Sequence, residues 1–298
     1  MVLATASNNG HAIFTRIEHQ QNVPFCSSYD PPNGRAAILR VRKDCIGSSS
    51  SVGVCVEVRL FHADSHQRLP YDELRAQARK EVVRSGLIQS AGAGDVKAAF
   101  ALHAGFWPFV REFEIAIDRR ALPRAPLALK FGPSSTRTCF ATLARAVREM
   151  KNEEGSHATL WQEDAAELGL EFREGPLVAG VTELIESAYA HDIVVFFAVL
   201  AGTEFIAEEL SRYLTQSKDF VALFGRSRWA WGDVHLLPHQ DGPSHLEIDV
   251  DLARAYSPTD DVAFIKRMIE NTILLFGRAA KDVYQSLMPL HEGSEWRV

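Results

Sequence analysis

The sequence has few cysteines, no long apolar run and no dense cluster of basic residues. Its 298 residues include four cysteines without a Cys-x-x-Cys pair, so it predicts neither a zinc knuckle nor a disulfide scaffold. The longest apolar run, 193–201, is about half of what a bilayer span requires. The net charge of −6 argues against a nucleic-acid partner, and the first residues lack the basic and apolar segments of a secretory signal. These absences predict a soluble, cytoplasmic protein with no membrane partner.

The composition is that of an ordinary globular protein, with 46% hydrophobic and 23% charged residues. Two β-branched segments, 36–42 and 52–61, predict the strands of a hairpin, because a Ser-rich turn lies between them. We therefore expect an N-terminal β-hairpin extension over 1–69, followed by a helical domain over 70–298.

Helical periodicity begins near Tyr71 and continues almost to the end of the chain. The predicted helices, interrupted by Pro- and Gly-containing segments, span 70–86, 95–120, 136–168, 178–190, 193–216, 227–237, 244–256 and 259–288. This pattern predicts a mainly α protein built as a bundle of about seven helices around one core.

Glu154 and His157 are the most informative residues for chemistry. They are three residues apart on a predicted helix, so both side chains project from the same face. A carboxylate and an imidazole on one face of a bundle helix are the ligand pair expected of a non-haem iron or manganese centre. The alternative is a surface glutamate beside a histidine that caps a neighbouring helix.

Glu204 follows an almost wholly apolar stretch, so its helical neighbours are apolar. An ionised carboxylate in such a setting is costly unless it is paired or bound to a metal. A salt bridge to an arginine of another helix is the alternative for Glu204. Glu112 and Glu114 flank the apolar stripe of the predicted helix 95–120. Each is a weaker candidate ligand, and the alternative is a solvent-exposed side chain at the edge of the stripe of an amphipathic helix.

A third cluster of candidate ligands lies between Trp231 and Asp249. Neutral imidazoles and carboxylates suit a borderline divalent metal. The alternative is a polar loop, since two prolines interrupt the segment. The candidates in it are His235, His239, Asp241, His245 and Asp249.

Taken in order, these segments resemble the haem-oxygenase-like di-iron oxidases and oxygenases, relatives of thiaminase II and the pyrroloquinoline-quinone synthase. Residues 154–161 resemble the Glu–His helix of that family, and 201–204 resemble the helix that supplies its mid-chain glutamate. Residues 105–113 resemble an earlier helix in which a Trp-Pro precedes a ligand glutamate, although Arg111 falls at the strict ligand position. The last ligand helix of the family reads His-x3-Asp-x2-His, and the nearest match is a stretched set of His235, Asp241 and His245.

The resemblance implies a haem-oxygenase-like bundle that holds two Fe²⁺ ions and uses O2 as co-substrate with an external electron donor. It implies that one iron is held by Glu154, His157 and His245, and that the other is held or bridged by Glu112, Glu204, His235 and Asp241. It leaves open whether Glu114 replaces Glu112 and whether His239 or Asp249 replaces Asp241. The implied substrates are small amino acids or fatty acids, and we favour oxidation of an amino acid in specialised metabolism, such as antibiotic biosynthesis.

Two other classes of function fit the same bundle. One is a metal-free enzyme of the thiaminase II or quinone-synthase type, in which Cys139 would be the candidate nucleophile. The other is a non-catalytic bundle that binds a partner through a broad exposed apolar stripe. The N-terminal hairpin could cover the bundle, form a homodimer contact or shape the pocket.

Overall fold

The structure is a computed structural model of the chain. It describes residues 69–170, 177–236 and 244–287, together with the backbone of four short strands. Asp241 and His239, two of the candidate ligands, lie outside the described residues. The described part of the chain contains no helix that is both long and apolar enough to cross a membrane.

Eleven helices make up most of the described residues. They are α1 (Tyr71–Arg84), α2 (Gly86–Gly92), α3 (Val96–Arg119), α4 (Ala125–Phe131), α5 (Pro133–Glu167), α6 (Ala179–Ala188), α7 (Ile193–Thr215), α8 (Lys218–Val221), α9 (Ala230–Leu236), α10 (His245–Tyr256) and α11 (Val262–Leu287). The prediction of a mainly helical bundle is confirmed. The helices missed from the sequence are α2, α4 and α8, whose seven, seven and four residues are too few to show a helical period.

The strands precede the bundle in the chain. Strand β1 (Ala4–Ala6) pairs antiparallel with β2 (Ala12–Phe14), and β3 (Ala36–Arg42) pairs antiparallel with β4 (Cys55–Phe61). The pairing of β3 with β4 involves the two segments that the sequence analysis assigns to a hairpin, with Ala36 opposite Phe61 and Arg42 opposite Cys55. The Ser-rich turn between them lies outside the described residues.

Helix α7 lies at the centre of the bundle. It packs against α1, α9, α10 and α11, and its residues are buried on nearly every side, as expected of a helix that is hydrophobic all round. Gly202 lets α11 approach closely, because a Cβ at this position would lie 2.7 Å from the Cβ of Thr272. Such a small residue at a helix crossing brings the two backbones together. This close approach determines how near to α11 the α7 turn that carries Glu204 lies.

Helix α5 is the longest of the described helices, with 35 residues. Gly132 precedes it with a φ of 81°, a left-handed conformation that favours glycine, and Pro133 occupies its first position. Its buried stripe begins with Cys139, Leu143, Val147 and Met150. The stripe then continues with polar residues, and this change of chemistry along one helix face marks the beginning of the candidate site.

Candidate metal centre

Helix α5 turns four polar or aromatic side chains toward the core. Glu154, His157, Trp161 and Asp164 follow one another at helical spacing and continue the apolar stripe that precedes them. Glu154 is 7% exposed and Asp164 is 2% exposed. A carboxylate in a position that an apolar residue would ordinarily occupy requires a compensating partner.

Three further helices bring their side chains to the same place. Glu204 comes from α7 and is buried, and His235 comes from α9, next to His157, with 4.5 Å between the two ring centroids. His245 and Asp249 lie one turn apart on α10, and both are buried. The structure thus brings together three carboxylates and three imidazoles from four helices.

The start of α10 places His245 at the first residue of that helix. The Ser244 hydroxyl accepts a hydrogen bond from the Glu247 backbone N–H, and the Glu247 carboxylate accepts one from the Ser244 N–H at 3.0 Å. This reciprocal capping box fixes where the helix begins. The position of His245 at the start of α10 is therefore set by two residues that do not belong to the group.

Glu154 is at the centre of the group. Its Oε2 accepts a hydrogen bond from His157 Nδ1 at 3.2 Å, and its Oε1 lies 3.4 Å from His245 Nδ1. His245 Nδ1 also lies 4.0 Å from Glu204 Oε1. Ligand atoms of Glu154, Glu204 and His245 all lie within 4.8 Å of one another. Neighbouring ligands that each bind one ion at about 2.1 Å are separated by about 3.0–3.5 Å, so this spacing is close to that of a metal site.

Glu154 and His157 stabilise the charged forms of each other despite their burial. Burial disfavours the charged form of Glu154, but hydrogen bonds from His157 and His245 outweigh it and hold the pKa of Glu154 below its usual value. Burial also disfavours charge on His157, yet the hydrogen bond to Glu154 raises its pKa. Glu154 and His157 therefore behave as an ion pair in the absence of metal.

The other two carboxylates lack such partners. Burial, together with the negative charge of Glu154, raises the pKa of Glu204 to about 7. Burial and the charge of Glu204 raise the pKa of Asp249 well above its usual value. The Oδ1 atom of Asp249 is buried without a hydrogen-bond partner. Buried carboxylates of this kind are costly for a protein to keep, and a cation would relieve the cost.

His235 is suited to bind a metal as a neutral ligand. Its Nδ1–H donates to the Trp231 carbonyl at 2.7 Å, which leaves Nε2 with a lone pair. Burial, aided by the positive charge of His157, lowers the pKa of His235 to about 3. The group fits a divalent transition metal such as iron, because mixed imidazole and carboxylate donors suit that class and the carboxylates are otherwise uncompensated.

Of the residues that the sequence analysis selected, Glu154, His157, Glu204, His235 and His245 come together in this group. Glu112 does not join it, since its carboxylate accepts a hydrogen bond from the Tyr189 hydroxyl at 2.7 Å and lies 3.4 Å from the Arg111 guanidinium. The carboxylate of Glu114 lies against Gly155 of α5. Both residues remain predictions as ligands.

His235 and His245 lie on separate helices, α9 and α10, as the predicted helices 227–237 and 244–256 and the prolines between them indicate. The His-x3-Asp spacing is met within α10 by His245 and Asp249, and Leu252 stands three residues further on. Asp249 was only an alternative in the sequence analysis. The four-residue spacing on one helix was the signal that could have favoured it over Asp241.

Asp164 holds the helix that carries His235. Its Oδ1 accepts a hydrogen bond from the Ala230 N–H at 3.2 Å, and its Oδ2 accepts one from the Trp231 N–H at 2.8 Å. These are orphan donors of the first turn of α9, so a side chain of α5 caps a helix 66 residues away. Burial raises the pKa of Asp164 to about 6, against the effect of these hydrogen bonds.

We expect Asp164→Asn to weaken metal binding, because asparagine keeps one acceptor oxygen and loses the other. Changes to groups that orient metal ligands typically cost about 10–100-fold in affinity. Titration of the purified protein with Co²⁺ would measure the effect. Asp95→Asn is the matched control, since Asp95 caps α3, which carries no member of the group. Equal Co²⁺ affinities in the two variants would contradict the positioning role of Asp164.

An apolar cavity adjoins the candidate metal centre. Its lining includes Phe106, Phe109, Trp161, Ile206, Ala207 and Trp231. Trp161 follows His157 by four residues, and Ala207 follows Glu204 by three. Trp231 precedes His235 by four. The cavity therefore lies about one helical turn from the group on each of three helices.

The cavity is small and carries almost no polar surface. Its volume of about 60 Å³ admits roughly four water-sized groups, since each requires about 15 Å³. Its two threonines, Thr203 and Thr272, already donate their hydroxyl hydrogens to the carbonyls of Val199 and Met268. The cavity therefore suits a small apolar group and offers nothing to a charged one.

Comparison with known proteins supports the fold. No protein-family model matches the chain, and no curated protein matches it. Among solved structures, a TenA homologue from Pseudomonas syringae pv. tomato is similar, with a TM-score of 0.53 and 16% sequence identity over 72% of this chain and 92% of that one. The chain therefore has the haem-oxygenase-like helical fold of TenA proteins.

Proposed function

We propose that the protein is an iron-dependent oxidase or oxygenase that uses O2 to oxidise a small amino acid with an apolar side chain. The observation that supports this most strongly is the group of three buried carboxylates and three imidazoles, of which His245 is buried and His157 and His235 are half-buried. Glu204 approaches its imidazole neighbour His245 only to 4.0 Å, and Asp249 Oδ1 has no hydrogen-bond partner, so a divalent cation would supply the compensation that these buried carboxylates need. Among described residues, no other group of three or more potential ligands is close enough to hold a metal ion.

Two Fe²⁺ ions would divide the group between them. Glu154, Glu204 and His245 would hold the first, with Asp249 beside them. The rings of His157 and His235 lie 4.5 Å apart next to Glu154, but the three residues do not yet form a group with metal-site spacing, so these two histidines would have to move closer to hold the second ion, with Glu154 as the ligand common to both sites. Bound iron would supply the activation of O2, and an external electron donor would supply reducing equivalents.

The chain's own residues would determine what is oxidised. The apolar cavity would take the side chain of the amino acid and exclude water from it. Because the cavity offers no charged partner, the ammonium and carboxylate groups of the substrate would face the polar centre. Burial of His235 keeps its imidazole neutral, and Glu204, with a pKa raised to about 7, could exchange a proton near neutral pH.

Anaerobic loading with Fe²⁺, followed by rapid mixing with O2, tests this proposal. We expect about two bound ions per chain, as in di-iron carboxylate sites, and a transient visible absorption band. The band should decay faster with valine than with threonine, which has a similar shape but would bury a hydroxyl in the apolar cavity. Absence of iron uptake would contradict the proposal, and equal effects of the two amino acids would contradict the proposed substrate class.

A metal-free enzyme is the second candidate, and the likeness to the TenA homologue favours it. Its candidate nucleophile, Cys139, is buried on α5. It precedes His157 by 18 residues, which at about 1.5 Å per residue is roughly 27 Å along the helix. Cys139 therefore does not belong to the group of buried ligands. The partner-binding alternative has less support, because the exposed large apolar residues of the described part lie on separate elements.

A further inference from the structure

Three tryptophans form a buried aromatic cluster beside the candidate metal centre. The ring centroids of Trp161 and Trp231 are 4.8 Å apart, and those of Trp229 and Trp231 are 5.1 Å apart. The ring of Trp231 also lies 4.0 Å from the ring of His235. Aromatic rings are therefore in continuous contact from His235 through Trp231 to Trp229.

At the Trp229 end of this row of rings, a hydrogen bond joins two fully buried rings, those of Trp229 and His103. The indole N–H of Trp229 donates to Nε2 of His103 at 3.3 Å, and both side chains have no exposed surface. His103 Nδ1 lies 2.8 Å from the Ala99 carbonyl. A carbonyl can only accept, so Nδ1 carries the hydrogen and Nε2 carries the lone pair. The tautomer of His103 is thereby determined.

His103 has the properties of a proton acceptor. Burial lowers its pKa to about 4, so the imidazole is neutral near pH 7 and its Nε2 lone pair is available. Its ring also packs against Trp161, with 4.7 Å between the centroids. None of the hydrogen bonds or ring contacts of His103 involves a member of the metal-binding group.

The cluster itself is buried, but it adjoins an exposed segment of the chain. Trp229 directly follows four exposed residues, 225–228, which include Arg226 and Arg228. The row of aromatic rings that begins at His235 thus ends at Trp229, the residue next to this exposed segment. Apolar packing explains the contacts between the rings, and the hydrogen bond to His103 satisfies the buried indole N–H. The same hydrogen bond also places a basic nitrogen at the atom of Trp229 that releases a proton when the indole is oxidised.

We propose that Trp229 is a one-electron donor to the iron site and that His103 takes up the proton that Trp229 releases. In this step, which rests on the proposed function for its oxidant, Trp229 loses one electron through Trp231 to oxidised iron, whose oxidation state falls by one. The N–H bond of Trp229 breaks, and its proton forms a new N–H bond at His103 Nε2. An external one-electron donor at the surface reverses both changes.

Laser flash–quench oxidation tests the pair without requiring iron chemistry. The sample is full-length protein carrying Trp107→Phe and Trp296→Phe and incubated with redox-inert Zn²⁺, and the oxidant is photogenerated ruthenium(III) tris-bipyridine. We expect the absorption of the neutral indolyl radical, which is distinct from that of the cation radical, with a solvent deuterium isotope effect on its formation. Zinc content of the same sample reports separately on the metal-binding group.

Two variants decide the outcome. Trp229→Phe should lose most of the radical signal. His103→Gln keeps an acceptor oxygen for the indole N–H but no basic nitrogen, so it should lose the neutral radical and form the cation radical instead. An unchanged signal in Trp229→Phe, or an unchanged neutral radical in His103→Gln with native helical content, would overturn the proposal even if zinc binds normally.

Discussion

Glu154→Gln is expected to remove both iron ions from the protein. Glu154 is the carboxylate whose two oxygens face two different histidines, with Oε2 at 3.2 Å from His157 Nδ1 and Oε1 at 3.4 Å from His245 Nδ1. Glutamine has nearly the same shape, but it replaces one of these oxygens with an amide donor and carries no charge. Neither ion would then retain the ligand that the two sites share.

The iron-to-protein ratio after anaerobic loading and desalting measures this effect. The control is Glu163→Gln, which makes the same change at an exposed position of the same helix. We expect the control to keep the wild-type ratio and Glu154→Gln to fall close to zero, with helical content retained in both. Equal ratios in the two variants would show that Glu154 binds no iron.

Glu204→Gln is expected to stabilise the metal-free protein while weakening its response to metal. The pKa of Glu204 is raised from 4.5 to about 7, mainly by burial, so its ionised form costs stability above pH 7. At about 1.36 kcal/mol per pKa unit, this cost is about 3 kcal/mol. Glutamine carries no charge, so the variant does not bear the cost of burying an ionised carboxylate.

The size of the effect depends on pH. Below pH 4.5, Glu204 is protonated in both folded and unfolded chains, and the substitution should change stability little. Between pH 4.5 and about 7 the unfolded chain ionises first, so wild-type stability falls relative to the variant. Unfolding by urea in the presence of a chelator, at pH 4.5 and pH 8, measures the difference. A variant less stable than wild type at pH 8 would contradict this account.

Glu209→Gln provides a matched control on the same helix. Glu209 is also buried, but its carboxylate accepts a hydrogen bond from the Arg212 guanidinium at 2.6 Å and lies 3.7 Å from Arg75. Removing its charge breaks these ion pairs, so we expect Glu209→Gln to destabilise the metal-free protein. Metal should raise the stability of this variant as it does that of wild type, because ligands that bind only the folded state stabilise it.

Local periodicity was sufficient to predict all the described helices except α2, α4 and α8, and to predict one face of the site. The three-residue spacing of Glu154 and His157 placed them correctly side by side, because a helix fixes that geometry over a single turn. The apolar stretch before Glu204 correctly indicated a buried carboxylate. Each of these inferences depends on residues within a few positions of one another.

Contacts across the bundle could not be predicted in the same way. The hydrogen bond from Trp229 to His103 joins residues 126 positions apart, and Asp164 caps a helix from another part of the chain. Periodicity also could not choose between Glu112 and Glu114 on α3. Their roles depend on which neighbour each carboxylate meets, Tyr189 for Glu112 and Gly155 for Glu114.

The origin of the ligands on α5, α7, α9 and α10 has a consequence for how the protein would acquire metal. A nascent chain that ends before α9 contains only three of the six side chains, Glu154, His157 and Glu204. It still lacks His235, His245 and Asp249. Tight metal binding would then begin only when the last helices dock, so metal capture would be a late event in maturation. Iron scarcity during synthesis would leave a complete bundle that still bears its costly buried carboxylates.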